Sequence, residues 1–221
     1  MKMDNFFLKY NRFFLLFIFG ITTFNLWSQT PIEAKNLLEL ASKRMKSYDN
    51  IQFEFNYVLN NRIEKINQES SGKVTISGEK YKLIFLDAIQ LFDGRALYTI
   101  VPENEEITVT EVNDEEDFGI NPNELLQFYK KGYDYQWDIS QKVKGKNIQF
   151  VKLIPIEDES GIQYLLVGID TQLNHIYKLI EVGDNGTFTT LTIEHIEVNG
   201  SISEDFFDFN EADYTDYYIN K

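Results

Sequence analysis

Few residues in this sequence could move a proton or hold a metal. The 221 residues include two histidines, His175 and His195, and no cysteine. General-base chemistry near neutral pH would have to use one of those imidazoles, and both fall inside β-type runs where a structural or solvent-facing role is the simpler reading. No G-x-S-x-G, H-E-x-x-H or phosphate-loop pattern occurs, and Gly183-Asp-Asn-Gly186 lacks the lysine that a phosphate loop requires. The acidic run Asn113-Asp-Glu-Glu-Asp117 offers oxygens. A calcium loop, however, needs ligands at alternate positions with a glycine and a closing glutamate at fixed spacing, and that pattern is missing. Asp93 and Asp170 sit where turns begin, which assigns their carboxylates to backbone hydrogen bonds. The expectation is a protein that is not an enzyme and carries no cofactor or metal.

The sequence is rich instead in apolar contact surface. It holds 18 Phe and 13 Tyr, some of the Phe in the first segment. Ile51, Phe53, Phe55, Tyr57 and Leu59 alternate with polar residues and so share one face of a strand. Val74 and Ile76, then Tyr81, Leu83 and Phe85, repeat the pattern. Such a set either interdigitates in a close-packed core without voids, or leaves part of its face unfilled for a hydrocarbon ligand. Residue types alone do not choose between these.

The elements that must position this face follow from the punctuation of the chain. Thr30-Pro-Ile-Glu33 is a capping box, and Ala34, Leu37, Leu38, Ala41, Met45 and Tyr48 follow at helical spacing, predicting one amphipathic helix over about residues 31–47. Residues 72–112 read as an antiparallel meander, with turns at Gly78-Glu79 and Asp93-Gly94 and a stop at Pro102. Asn121-Pro-Asn-Glu124 predicts the start of a second, short helix carrying Leu125 and Phe128 and ending before Gly132, lying across the sheet. Strands resume at Tyr133 and continue to Val198, for about eleven in all. A mainly β fold results, a single antiparallel sheet covered by an N-terminal and a mid-chain helix. A sheet this long should curl.

The first 28 residues place the chain. Lys2, Lys9 and Arg12 precede an apolar run from Phe13 to Phe24, the order of a secretory signal peptide, with cleavage expected after Ser28 and a single domain over 29–221. A membrane anchor is the rival reading, but Gly20, Thr22, Thr23 and Asn25 interrupt a stretch shorter than the roughly 20 residues a span needs. Removing that segment takes away Lys2, Lys9, Arg12 and Asp4, so the formal net charge goes from −14 to −16. Nucleic acid is excluded as a partner, and an anionic membrane should repel such a chain as a whole.

A resemblance adds to this. Gly72 leading a strand, then Asp93-Gly94-Arg95 with Leu97, Tyr98 and Pro102, resembles the LolA-like periplasmic carriers of outer-membrane lipoproteins. Leu153-x-Pro155, Ile169-Asp170, the Asp184-Asn-Gly186 turn and the closing Phe206-Phe-Asp-Phe209 fall in the same family's order, so the likeness spans almost the whole mature chain. It implies an unclosed half β-barrel with a helical lid, and it assigns Phe53, Phe55, Tyr57, Val74, Ile76, Tyr81, Leu83, Phe85, Leu125 and Phe128 to a lipid-binding cavity. It also implies a monomeric carrier that shuttles lipid-modified proteins, or a similar acylated lipid, from an inner-membrane ATP-driven release complex to an outer-membrane receptor. Three acyl chains of about fifteen methylenes would cost about 36 kcal/mol to hydrate at ~0.8 kcal/mol each. That exceeds the roughly 20 kcal/mol at which non-covalent affinity saturates, so loading must be driven by a partner. The alternative from another class is a periplasmic sensor of lipid or misfolded lipoprotein with the same fold. One departure stands out: well-studied members carry an Arg that latches the lid, where this chain reads Ser77-Gly78-Glu79, with Lys80 as the nearest substitute.

Overall fold

The amphipathic run that opens the domain folds as helix α1, Pro31–Lys46, with Ala34, Leu37, Leu38, Ala41 and Met45 buried along one stripe and Lys43, Arg44 and Lys46 in its last turn, where cations favour the helix dipole. This comes from a computed structural model, which describes residues 31–111, 122–123, 128–157 and 161–221. Thr30, the expected cap, lies outside the described residues.

The remaining elements are strands in one sheet. They are β1 Ile51–Asn61, β2 Ile66–Ser77, β3 Lys80–Phe85, β4 Ala88–Phe92, β5 Ala96–Val101, β6 Glu106–Glu111, β7 Tyr133–Val143, β8 Lys146–Pro155, β9 Ile162–Asp170, β10 His175–Gly183, β11 Thr187–Val198 and β12 Tyr218–Asn220. Their order across the sheet is β12-β6-β5-β4-β3-β2-β1-β11-β10-β9-β8-β7, with β12 and β7 at unjoined ends. Two meanders, β1–β6 and β7–β11, are thus zipped together where β1 pairs antiparallel with β11. The expected eleven strands are all present. β12 is the twelfth, and it runs parallel to β6, so the sheet is antiparallel except at that edge.

This order forces the path of one connection. β6 and β7 belong to opposite ends of the sheet, so the chain between them must cross it. Its described residues Pro122 and Tyr129 are both buried on the face that carries α1, called here the inner face. Phe128–Lys130 is a 3-10 turn. It stands where the sequence predicts the end of a second α-helix, and residues 124–127 of that helix, Leu125 among them, lie outside the described residues.

The C-terminal segment covers the opposite, outer face of the first meander. Phe209 stacks on Tyr98 at 4.2 Å and on Tyr214 at 5.4 Å, and Phe207 is buried. The closing Phe-Phe-Asp-Phe run is therefore a hydrophobic strap that carries the chain to β12.

Candidate functional site

The inner face divides into two packed clusters. Under α1, which touches β7, β9 and β10, lie Val151, Leu153, Leu165, Val167 and Ile169, together with Ala34, Leu37, Leu38, Ala41 and Tyr129. The alanines let the helix approach the sheet. On the first meander and its seam with β11 lie Phe53, Phe55, Val74, Ile76, Tyr81 and Leu83, all buried, with Tyr57 and Phe85 half-buried at the margin. Alternation placed these side chains together because β1 pairs in register with β2 and β2 with β3. Phe53 sits opposite Val74, Ile51 opposite Ile76, and Leu83 opposite Val74. Their rings touch edge to face or tilted, Phe55 with Phe85 at 5.3 Å and Tyr57 with Phe85 at 5.2 Å.

A cavity lies where the two clusters meet. Met45, Ile51, Phe53, Ile76, Pro122, Val167, Ile176, Leu179, Leu191 and Ile193 line it, all apolar, and its volume is about 30 Å³. That is small beside the roughly 300–1,000 Å³ of ordinary ligand pockets, so an acyl chain needs a wall to move before it can lie there. Pro122 is the wall that belongs to neither the sheet nor α1. Of the residues the sequence nominates, Phe53 and Ile76 line the cavity itself. Phe55, Val74, Tyr81, Leu83, Tyr57 and Phe85 form the packed ring layer beside it. Leu125 and the side chain of Phe128 lie outside the described residues.

Sequence reasoning missed the far wall. Ile176, Leu179, Leu191 and Ile193 come from β10 and β11; Leu191 and Ile193 alternate, but Ile176 and Leu179 are three apart and share a face only through the register shift after Ile176. Only the β1–β11 seam, which sets Phe55 opposite Ile193 and Tyr57 opposite Leu191, brings them to the aromatic strands.

A polar vestibule of about 220 Å³ adjoins this cavity and shares Met45, Ile51 and Ile76 with it, adding Lys46, Tyr48, Asp49, Asn50, Glu79 and Asn123. Across its mouth Asn123 donates from Nδ2 to the Glu79 carbonyl at 3.1 Å. Ser77 Oγ donates to the Asp49 carbonyl at 3.1 Å, and Lys80 turns away to Asp208 at 3.9 Å. The Pro122–Asn123 segment, called here the inner strap, is thus tied to the β2–β3 turn by its own donor, the reverse of an arginine on the sheet reaching for lid carbonyls. Behind it, Tyr129 is held by the Tyr135 hydroxyl, which donates to its carbonyl at 2.6 Å.

Titratable groups line the vestibule and not the apolar cavity itself. A hydrogen bond of 2.7 Å between the Tyr48 hydroxyl and His175 Nε2 joins the end of α1 to β10. Burial, and then the Arg44 guanidinium, push His175 below the ordinary imidazole value against the opposing pull of Asp170. His195 is exposed, with Nε2 3.1 Å from Glu197. Among the described residues no group of His, Asp and Glu is spaced to hold a metal.

Residues 28–181 match the family model of the outer membrane lipoprotein carrier protein LolA. The chain belongs to this family. No curated protein sequence matches it. Among solved structures, an uncharacterized conserved protein from Thermus thermophilus shares the fold with a TM-score of 0.55 at 9% identity, covering 84% of this chain and 97% of that one. LprF from Mycobacterium bovis gives 0.49 at 14% identity, covering 80% and 97%. The Pseudomonas aeruginosa MucA/MucB complex gives 0.49 at 12%, covering 80% and 61%.

The residues that resemble the LolA family have structural reasons in this chain. Gly72 faces Phe55 across the β1–β2 ladder, and a Cβ there would stand 2.2 Å from the Phe55 ring, so only glycine lets that ring lie flat on the strand. Asp93 Oδ1 accepts from the backbone N–H of Arg95 and Ala96 while Oδ2 accepts from the Tyr98 hydroxyl, and Gly94 takes φ +96°. Burial pushes the Asp93 carboxyl up, but those bonds and the Lys80 charge outweigh it and hold it below the usual carboxylate value. The DG-x-x-L-Y pattern is a self-contained turn, and its Leu97 is buried in the inner cluster.

Proposed function

We propose that this protein is a periplasmic carrier that shields the acyl chains of lipoproteins, or of a similar multi-acyl lipid, between the inner and outer membranes. In this reading residues 1–28 are a cleaved signal peptide and 29–221 the carrier domain. One observation carries it: in a LolA-family chain, an all-apolar cavity lies at the seam of the two meanders and is closed by a strap tied down at Asn123. Displacing Pro122 would open that cavity along the apolar layer of Phe53, Phe55, Tyr57, Val74, Ile76, Tyr81, Leu83 and Phe85. The side chains that line the cavity are apolar throughout among the described residues, which suits shielding without chemistry. Because the sequence has no phosphate-loop pattern, loading falls to an ATP-driven membrane complex and unloading to an outer-membrane receptor.

Mass spectrometry of ligands extracted from the protein purified out of the periplasm tests this directly. Acylated peptides or lipids are expected in about one-to-one amount, and donor-to-acceptor vesicle transfer should accelerate when the protein is added. Protein that carries no acylated ligand and takes up no fluorescent acyl probe overturns the reading. Protein that binds such ligands but never transfers them is a sensor of the same fold and not a carrier.

A further inference from the structure

Net charge hides a strong polarity on the outer face of the sheet. The C-terminal strap over the first meander carries Glu204, Asp205, Asp208, Glu211, Asp213 and Asp216, two of them paired with a lysine. At the other end the sign reverses. Between Asp138 and Glu157 the chain has four lysines and no carboxylate. Lys146 and Lys152 alternate with Ile148 and Phe150 on β8. Phe150 pairs with Gly168, and Gly168 pairs with Lys178, so the three lysines share the outer face of β8–β10. Lys142 and Lys144 extend the patch onto the β7–β8 turn.

These lysines are mounted on tyrosine rings. Lys152 Nζ lies 3.9 Å from the Tyr164 ring centre, and Lys146 and Lys178 lie 5.2 and 5.9 Å from that of Tyr177. Carboxylates also border the face, among them Asp134, which on β7 stands opposite Ile154 and so on the side of Lys152. Glu194 is paired with Lys144 at 2.7 Å, and Asp170 is buried and accepts from the Gln172 N–H. Lys146, Lys152 and Lys178 have no carboxylate within ion-pair distance among the described residues.

We propose that the outer face of β8–β10 is a docking surface for an anionic phospholipid bilayer. Two features of the patch favour phosphate headgroups over an acidic protein. All its cations are lysines, compact point charges suited to many mobile phosphates. Protein interfaces, by contrast, favour arginine's fixed fork and are depleted in lysine. The patch also interleaves its charges with tyrosines on a sheet face, Tyr177 buried and Tyr164 half-buried, and tyrosine is the amphipathic ring type that settles at the membrane–water boundary. The acidic strap does not cancel it: β3, whose Lys80 meets Asp208, and β10 are four strand spacings of about 4.8 Å apart, more than twice the ~8 Å screening length at physiological salt. The chain as a whole is repelled by an anionic surface, but this face is not. Docking here would concentrate the protein at a membrane while leaving the helix-covered face free for a partner. The inference does not depend on what the cavity holds.

Flotation of the mature chain with phosphatidylcholine vesicles, with and without phosphatidylglycerol, tests it, with no acylated cargo present. Binding is expected only to the phosphatidylglycerol vesicles and should fall steeply as salt rises. Lys146→Gln, Lys152→Gln and Lys178→Gln should each weaken it about five-fold, with Lys144→Gln weaker in effect because of Glu194. Lys35→Gln on α1 removes the same charge elsewhere and should leave binding unchanged. Thermal melts that match the parent show that the variants fold. Equal loss from Lys35→Gln, no flotation with either vesicle, or lysine-dependent binding to polyglutamate without flotation would each overturn the proposal, the last by making the face an acidic-protein dock.

Discussion

The second meander buries its inner face beneath α1 with aliphatic side chains, whereas the first presents rings, with Pro122 beside Phe53 and Ile76 at the boundary. Val151, Leu153 and Ile169 are fully buried against a helix whose Ala34 and Ala41 permit close approach, and such a layer has one arrangement. Phe55, Phe85 and Tyr57 meet at tilted and edge contacts, with two of them half-exposed, and the Pro122–Asn123 segment at the boundary is held by a side-chain hydrogen bond. One half therefore holds the domain together and the other can be opened. The cavity sits at their boundary.

Charge insertion should separate the halves most sharply. Leu153→Asp buries a carboxylate under α1 with no partner and is expected to cost more than about 4 kcal/mol, leaving no cooperative melt. Phe55→Asp falls on the ring layer nearer the solvent-facing margin. It should still give a folded protein by circular dichroism while abolishing uptake of a fluorescent acyl probe. A folded Leu153→Asp, or an unaltered probe titration for Phe55→Asp, breaks the division of labour.

Each half also has a strand glycine beneath a phenylalanine, on opposite faces. A Cβ at Gly72 would lie 2.2 Å from the Phe55 ring, and one at Gly168 would lie 2.8 Å from the Phe150 ring. Both Gly72→Ala and Gly168→Ala should lower the urea midpoint, by about 1–3 kcal/mol of stability. Only Gly72→Ala, whose ring belongs to the inner layer, should also change acyl-probe affinity. An equal change from Gly168→Ala, on the outer face, would mean that the probe reports general loosening.

Asn123→Ala removes the strap's tie to the Glu79 carbonyl and should cost about 0.5–1.5 kcal/mol, little of it visible in a melt. Stopped-flow uptake of the acyl probe should instead become several-fold faster. An unchanged rate would show that the strap is held elsewhere, for instance at Tyr129.

The smallest effect should come from the bond between α1 and β10. His175 Nδ1 is buried without a hydrogen-bond partner among the described residues, so a charged ring would bury an unsatisfied donor. Its pKa is lowered below the 6.5 it has when unfolded. The unfolded chain therefore takes up a proton before the folded one does, and this contribution, complete above about pH 6.5, is lost as pH falls through the lowered value. Urea midpoints should drop between pH 7.5 and 5.5 more in the parent than in His175→Gln. Equal drops would assign the acid sensitivity to other groups.

Much of this architecture was legible before any fold was in view, because it rests on local rules. Alternation of Ile51 through Leu59 marks a strand face whatever its neighbours are, Asp93-Gly94 dictates its own turn, and the spacing from Ala34 to Met45 marks one helix. The twelfth strand was not legible, because three residues after a polar stretch carry no period. Nor was the β1–β11 seam, since pairing between residues some 140 apart depends on the whole sheet order and not on any local pattern. That seam, and the forced crossing between β6 and β7, decided the site: they set Ile193 against Phe55, drew Pro122 over the boundary, and put the strap's donor at Asn123 where the sequence suggested only a missing arginine. Net charge too was readable as a number. Its separation into an acidic strap and a lysine face required strands to be placed side by side.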